Sequence, residues 1–354
     1  MKKELLMASA LASTLGAASV AQAVTHTLSG HHRVGVEFDS PNGTAVDTNA
    51  VIEQSSFAVS LSEVTDGGTT ISSSFNLVNE SGGLSNATAL TLEFTDGSKL
   101  DIFNAGNASG THDISIPGSA GEEGAAGTTT SNAPSGIDFT QGATELGFEW
   151  HSAADFMADG FKMSASYSTD SGAAATATAI AQNSWGLGAT YVTDAGDTDI
   201  TIGAGLAAVD YANTGTALTN DKGGMHVGVS AVTGDLTVAV GYGDGDTVVD
   251  DGTTAALAST QVDGSVTKAG IKYVSGDFTF NLGMVSGTAK DSSTLGTAGT
   301  TDDAYDETDA SVSWAVASGV TGLLGYTTVD LQDEGSSVTD KGGSAWYIGA
   351  KLAF

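Results

Sequence analysis

The chain ends Ala345-Trp346-Tyr347-Ile348-Gly349-Ala350-Lys351-Leu352-Ala353-Phe354. By parity, Trp346, Ile348, Ala350, Leu352 and Phe354 fall on one side, and Tyr347, Gly349, Lys351 and Ala353 on the other. A period of two is a β-strand with one apolar and one more polar face. A strand at the extreme terminus needs a partner, because an unpaired edge exposes a row of N–H and C=O groups. The identity of that partner decides the fold.

The same alternation recurs upstream. Val34, Val36 and Phe38 alternate, as do Phe57, Val59 and Leu61, then Ile71, Phe75 and Leu77. Leu90, Leu92 and Phe94 run into "TDGS", after which Leu100 and Ile102 continue. A long break over 106–142 follows, then Leu146, Phe148 and Trp150, and Phe161, Met163, Ala165 and Tyr167. In the second half, paired blocks meet across "DAGDT", "TGD", "SGD" and "ASG". With the terminal block, sixteen strands are expected. The connections alternate between short Gly/Asp turns and long polar loops, and Pro41, Pro117 and Pro134 all fall in predicted loops. Proline is harmless there, because no ladder needs its missing N–H.

Opposite the apolar face each block offers Gly, Ser, Thr, Asn or a charge, so neither a sandwich core nor a two-sided hydrophobic sheet is available. There is no Cys, which excludes disulfides and thiolate metal sites. A formal net charge of −31 excludes a basic nucleic-acid surface. The first 23 residues, MKKELLMASALASTLGAASVAQA, carry two lysines, an apolar run and the exit Ala21-Gln22-Ala23. That is the pattern of a secretory signal peptide cleaved after Ala23. No later run of apolar residues is long enough for a transmembrane helix.

Hydrocarbon cannot satisfy backbone N–H and C=O groups, so only a helix or a closed sheet crosses a bilayer. An even number of amphipathic strands, with short turns on one side and long loops on the other, describes an all-β transmembrane antiparallel barrel. Closure gives the last strand its partner, the first strand, with the even-numbered face toward lipid. Trp150, Tyr167, Tyr191, Tyr242, Tyr273 and Phe278 stand near strand ends, as interfacial girdles require.

The terminal "YIGAKLAF", the signal peptide and the sixteen-strand order resemble the general porins of the Gram-negative outer membrane. "LTLEFTDGSKLDIFNAGNASG" is similar to the hairpin that precedes that family's third loop. The resemblance implies a barrel over 24–354, a third loop over 106–142 folded into the pore, a homotrimer in outer-membrane lipid, and passage of small hydrophilic solutes. It also implies that Tyr347, Ile348, Leu352 and Phe354 form the signal read by the barrel-insertion machinery.

The third loop carries His112, Asp113, Glu122, Glu123 and Asp138, and neither Lys nor Arg. Strand parity places Arg33, Lys99, Lys162, Lys268, Lys272 and Lys351 on the lumen face, together with Glu37, Glu93, Asp101, Glu145 and Glu149. General porins set a basic wall against an acidic loop, whereas this chain has a single Arg. Charge rings set ion preference in pores, so weak cation selectivity is expected. No cofactor is expected. The acidic runs "GDGDTVVDDG" and "TTDDAYDETD" collect Ca²⁺ or other divalent cations only incidentally, since neither matches an EF-hand loop.

Other classes remain open from sequence. A closed barrel with an adhesive, structural or rim-enzyme role is one, and a secreted acidic surface protein is another. No G-x-S-x-G elbow or H-E-x-x-H pair occurs, and no enzymatic activity is expected. His31 and His32 point to opposite faces of one strand, so they do not chelate a single ion.

Overall fold

The computed structural model describes residues 24–41, 46–78, 90–103, 106–118, 146–169, 179–213, 222–248, 261–289, 303–332 and 341–354. These form a closed antiparallel barrel of sixteen strands in which each strand pairs with its sequence neighbours and β1 pairs with β16. The strands are β1 Thr25–Pro41, β2 Thr48–Val64, β3 Thr70–Val78, β4 Leu90–Glu93, β5 Lys99–Ile102, β6 Leu146–His151, β7 Phe161–Thr169 and β8 Ala179–Ala195. They continue as β9 Thr198–Asn213, β10 Lys222–Thr233, β11 Leu236–Val248, β12 Gln261–Ser275, β13 Phe278–Ala289, β14 Asp303–Ala317, β15 Val320–Gln332 and β16 Lys341–Ala353. One short helix, α1 Ala108–Thr111, follows β5. Residues 1–23, read above as a signal peptide, lie outside the described residues.

The turns on one side of the barrel are built from glycine. Gly68, Gly97, Gly160, Gly196, Gly234, Gly276 and Gly319 all have positive φ, one in each short connection. Between β8 and β9, β10 and β11, and β12 and β13, the connection is two residues, Gly-Asp. A left-handed Gly in the first of two loop residues is what a type II′ hairpin needs, and that turn matches the twist of the flanking strands.

The terminal strand closes the ring as expected. Arg33 faces Lys351, Gly35 faces Gly349, Glu37 faces Tyr347 and Phe38 faces Trp346. Gly30 and Phe354 exchange two backbone hydrogen bonds, of 3.2 and 3.1 Å. The Phe354 ring lies 5.9 Å from that of Phe57 on β2. Trp346, Ile348, Leu352 and Phe354 point outward and are exposed, whereas Tyr347 is buried on the inner face. Tyr347 lies along the wall, with its phenol ring over the bare backbone of Gly35 and Gly349. The ring fills the space two side chains would occupy, which packs the seam between β1 and β16 from inside.

The outer surface carries Leu187, Tyr191, Leu206, Val227, Val240, Ile271, Phe280, Leu282 and Met284, all exposed. The inner face is less uniformly polar than the sequence pattern suggests. Val209, Val266, Leu323 and Val329 sit on it and are buried.

Candidate functional site

The inner wall of the barrel and the segment 106–118 together form the site. The chain leaves β5 at Phe103, which adopts a left-handed φ of 60° and donates its N–H to Gly147 O at 3.0 Å. Bulky side chains seldom tolerate that conformation, so Phe103 marks a forced change of direction. Asn107 then caps α1, its side chain accepting from Ser109 N at 2.9 Å. Ala108 N donates to Ser166 Oγ of β7 at 2.9 Å, which ties the helix to the inner wall.

Beyond α1 the segment runs along the wall as far as β14, where Ser311 Oγ donates to Gly118 O at 3.3 Å. It fits because the wall beneath it has no side chains. A Cβ added to Gly188, Gly203, Gly228, Gly270 or Gly283 would come within 3.0 Å of Ala108, His112, Ile114, Pro117 or Gly118, respectively. These glycines form a registered track. Gly188 pairs with Gly205, Gly203 with Gly228, Gly228 with Gly241, and Gly270 with Gly283. From Gly203 to Gly283 the track is also level. Gly203, Gly228, Gly241, Gly270 and Gly283 each stand five residues from the turn end of their strand, at Thr198, Thr233, Leu236, Ser275 and Phe278. Five residues is about 16 Å of strand. At a typical barrel tilt that is roughly 13 Å of height, half of an apolar band about 25 Å tall.

Histidines fasten the segment on both flanks. His226 of β10 donates from Nε2 to Ser109 O at 2.8 Å, and its Nδ1 lies 3.6 Å from Asp113 Oδ1. His112, buried, places Nδ1 2.6 Å from Thr190 Oγ1 and Nε2 2.8 Å from Ser164 Oγ. Ser164 Oγ also lies 3.0 Å from His151 Nδ1, and His151 Nε2 lies 3.0 Å from Asp101 Oδ2. An unbroken polar chain thus runs Thr190–His112–Ser164–His151–Asp101 across four strands and the loop. Asp101 takes a further bond from Thr91, and Glu149 one from Thr111. Burial, reinforced by the charges of His151, His226 and Lys162, pushes the pKa of His112 down to about 4.

Of the residues read from parity as lumen-facing, all but Glu145 are among the described residues. Arg33, Glu37 and Asp39 are buried on β1, and the Arg33 guanidinium lies 5.9 Å from the Tyr347 ring centroid. Gln54 and Lys351 flank Arg33 on either side. Lys99 Nζ reaches Glu93 at 3.3 Å across β4 and β5. Lys162 stands beside Thr190, Lys268 lies within electrostatic reach of Glu307 on β14, and Lys272 follows on the same face of β12. Asp309 accepts from Thr327. Glu122, Glu123, Asp138 and Glu145 lie outside the described residues.

The sequence did not reveal that His226 meets the loop, that His151 is joined to it through Ser164, or that the glycines align. The available signal was glycine recurring at inward parity, at one distance from successive turns.

No family model matches the chain, and no curated protein matches it. Solved structures do. A porin structure is similar, with a TM-score of 0.64 at 20% identity, covering 93% of this chain and 100% of that one. An anion-selective porin from Comamonas acidovorans gives a TM-score of 0.64 at 14% identity, over 94% and 100%. The outer-membrane protein OmpT of Vibrio cholerae, in its trimer form, gives 0.61 at 14% identity, over 94% and 99%. At these identities the likeness shows the fold, which is that of a porin.

Proposed function

We propose that this chain is an outer-membrane porin through which small hydrophilic solutes and ions diffuse passively. The observation that carries the proposal is the 106–118 segment, held at mid-height against the inner wall of a closed sixteen-strand barrel. A ring of this strand number encloses an aqueous channel rather than a packed core. A polypeptide fastened inside it restricts what passes. The proposal includes no chemical step.

Of the wall and loop residues named above, eight carboxylates (Glu37, Asp39, Glu93, Asp101, Asp113, Glu149, Glu307 and Asp309) outnumber six cations (Arg33, Lys99, Lys162, Lys268, Lys272 and Lys351). Weak cation preference follows, the opposite sign to the anion-selective porin of Comamonas acidovorans. A homotrimer is supported by the outer face of β1 and β2. Val34, which points outward, pairs with Glu53, and outward His32 places Nδ1 2.9 Å from Ser55 Oγ. Ionisable side chains facing lipid are costly within the apolar band. A protein neighbour would satisfy them, and the Vibrio cholerae protein has a trimer form. In this proposal residues 1–23 are a secretory signal and the C-terminal strand is read by the insertion machinery.

The test is reconstitution of the 24–354 chain in a planar bilayer under a KCl gradient. Conductance in steps of three, with a reversal potential favouring K⁺, is the expected result. A folded, heat-modifiable barrel that carries no current would overturn the proposal.

A further inference from the structure

Asp101, Glu149 and His151 form a cluster that transport through the pore does not require. Asp101 and Glu149 are direct cross-strand partners on β5 and β6, both facing the lumen, and His151 stands two residues further along β6. One ligand atom from each lies within 4.8 Å of the others. Glu149 is only 2% exposed. Its Oε1 accepts from Thr111, and among the described residues no hydrogen bond reaches Oε2. The Lys99 ammonium is turned to Glu93 at 3.3 Å. Two adjacent carboxylates, one almost fully buried, are thus left with a single imidazole between them. Charges taken out of water need a partner of opposite sign; the imidazole is the one in direct contact, while Lys99 acts on Asp101 only at longer range, from its ion pair with Glu93.

We propose that Asp101, Glu149 and His151 bind a divalent transition-metal ion of the Zn²⁺, Co²⁺ or Ni²⁺ class at the root of the inner loop. One nitrogen and two carboxylate donors suit these ions. Ca²⁺ and Mg²⁺ prefer larger all-oxygen shells. His151 Nε2 and Asp101 Oδ2 are 3.0 Å apart, close to the roughly 3.3 Å edge of a tetrahedron with bonds near 2.0 Å. The ion takes the place of the proton these two atoms share, so binding releases a proton. Asp101 and His151 side chains retain about a fifth of their exposure, which leaves a route from the lumen.

The polar chain beyond the cluster supplies the outer support such a site needs. With metal on Nε2, His151 Nδ1–H donates to Ser164 Oγ, Ser164 donates to His112 Nε2, and His112 Nδ1–H donates to Thr190. Without metal, and with a neutral His151 donating Nε2–H to Asp101, every one of these bonds runs the other way. The same hydrogen-bonded atoms accommodate both directions, because each serine and threonine hydroxyl both donates and accepts. Metal at the loop root therefore sets the tautomer of His112 and, through the Thr111–Glu149 bond, stiffens α1 against the wall.

The experiment is titration of the metal-free, detergent-folded barrel with Co²⁺, followed by visible absorption. One equivalent per chain is expected, displaced by Zn²⁺, with affinity falling at least tenfold in Glu149→Gln and His151→Gln and unchanged in Asp47→Asn. Absence of a band, or a band undiminished in His151→Gln, overturns the site. If neither cluster variant folds, Zn²⁺ must raise the temperature at which the wild-type barrel loses its compact gel form, and an unchanged temperature overturns the site. The readout does not depend on conductance. A conducting barrel without cobalt binding removes the metal site alone, and a cobalt-binding barrel without current removes the porin proposal alone.

Discussion

At the scale of single residues, His112 ties the stability of the loop to pH. Its imidazole ordinarily titrates near 6.5, and in the folded chain near 4. Between those values the unfolded chain binds more protons. Stability is therefore full above pH 6.5 and falls as pH drops toward 4. The groups around it are Asp113 on the loop, Glu149 and His151 on β6, Lys162 and Ser164 on β7, Thr190 on β8 and His226 on β10. Added positive charge beside Lys162 and two histidines loosens the segment. Acidifying from pH 7 to 4 is expected to increase open-channel noise in single-channel recordings, and His112→Asn to flatten that dependence. Gly203 offers a second handle. Valine there meets the His112 backbone, an overpacking that costs about 1–3 kcal/mol. Gly203→Val should keep the barrel but lower its heat-modifiability midpoint and change its conductance.

At the scale of elements, the alternation of the strands was legible because period two is a local property of sequence. Trp346 to Phe354 announces its outward face without reference to any partner. The loop was less legible. The resemblance makes His112 and Asp113 constriction residues; His112 is buried and works as a fastener, while the Asp113 side chain is about half exposed. His151 and His226 lie 39 and 114 positions along the chain from His112, and no local pattern links them. The glycine track is spread across six strands, so each glycine taken alone looks like an ordinary small lumen residue. The seam between β1 and β16 gives the prediction at this scale. Deleting Phe354 removes two backbone bonds to Gly30 and the ring contact with Phe57. The expected outcome is a smaller fraction of compact, unboiled gel band after refolding, with little change in the conductance of molecules that do fold.

At the scale of the whole molecule, the net charge of −31 is a poor guide to selectivity, because solvent and salt screen charges on the outer loops. Lumen carboxylates part-buried against the inner wall are screened less. The Debye length shrinks from about 10 Å at 0.1 M to about 3 Å at 1 M salt. At a fixed KCl ratio, the reversal potential is therefore expected to move toward zero as both concentrations rise.

The claim on which all three scales rest is that the 106–118 segment lies in the conducting path. The chain has no cysteine, so a single Asp113→Cys introduces one addressable thiol on that segment. The measurement is single-channel current through Asp113→Cys in a planar bilayer before and after adding a charged, thiol-reactive methanethiosulfonate. The account predicts stepwise loss of current, one step per protomer, reversed by reductant. Complete labelling confirmed by mass spectrometry, with the current unaltered, would contradict it.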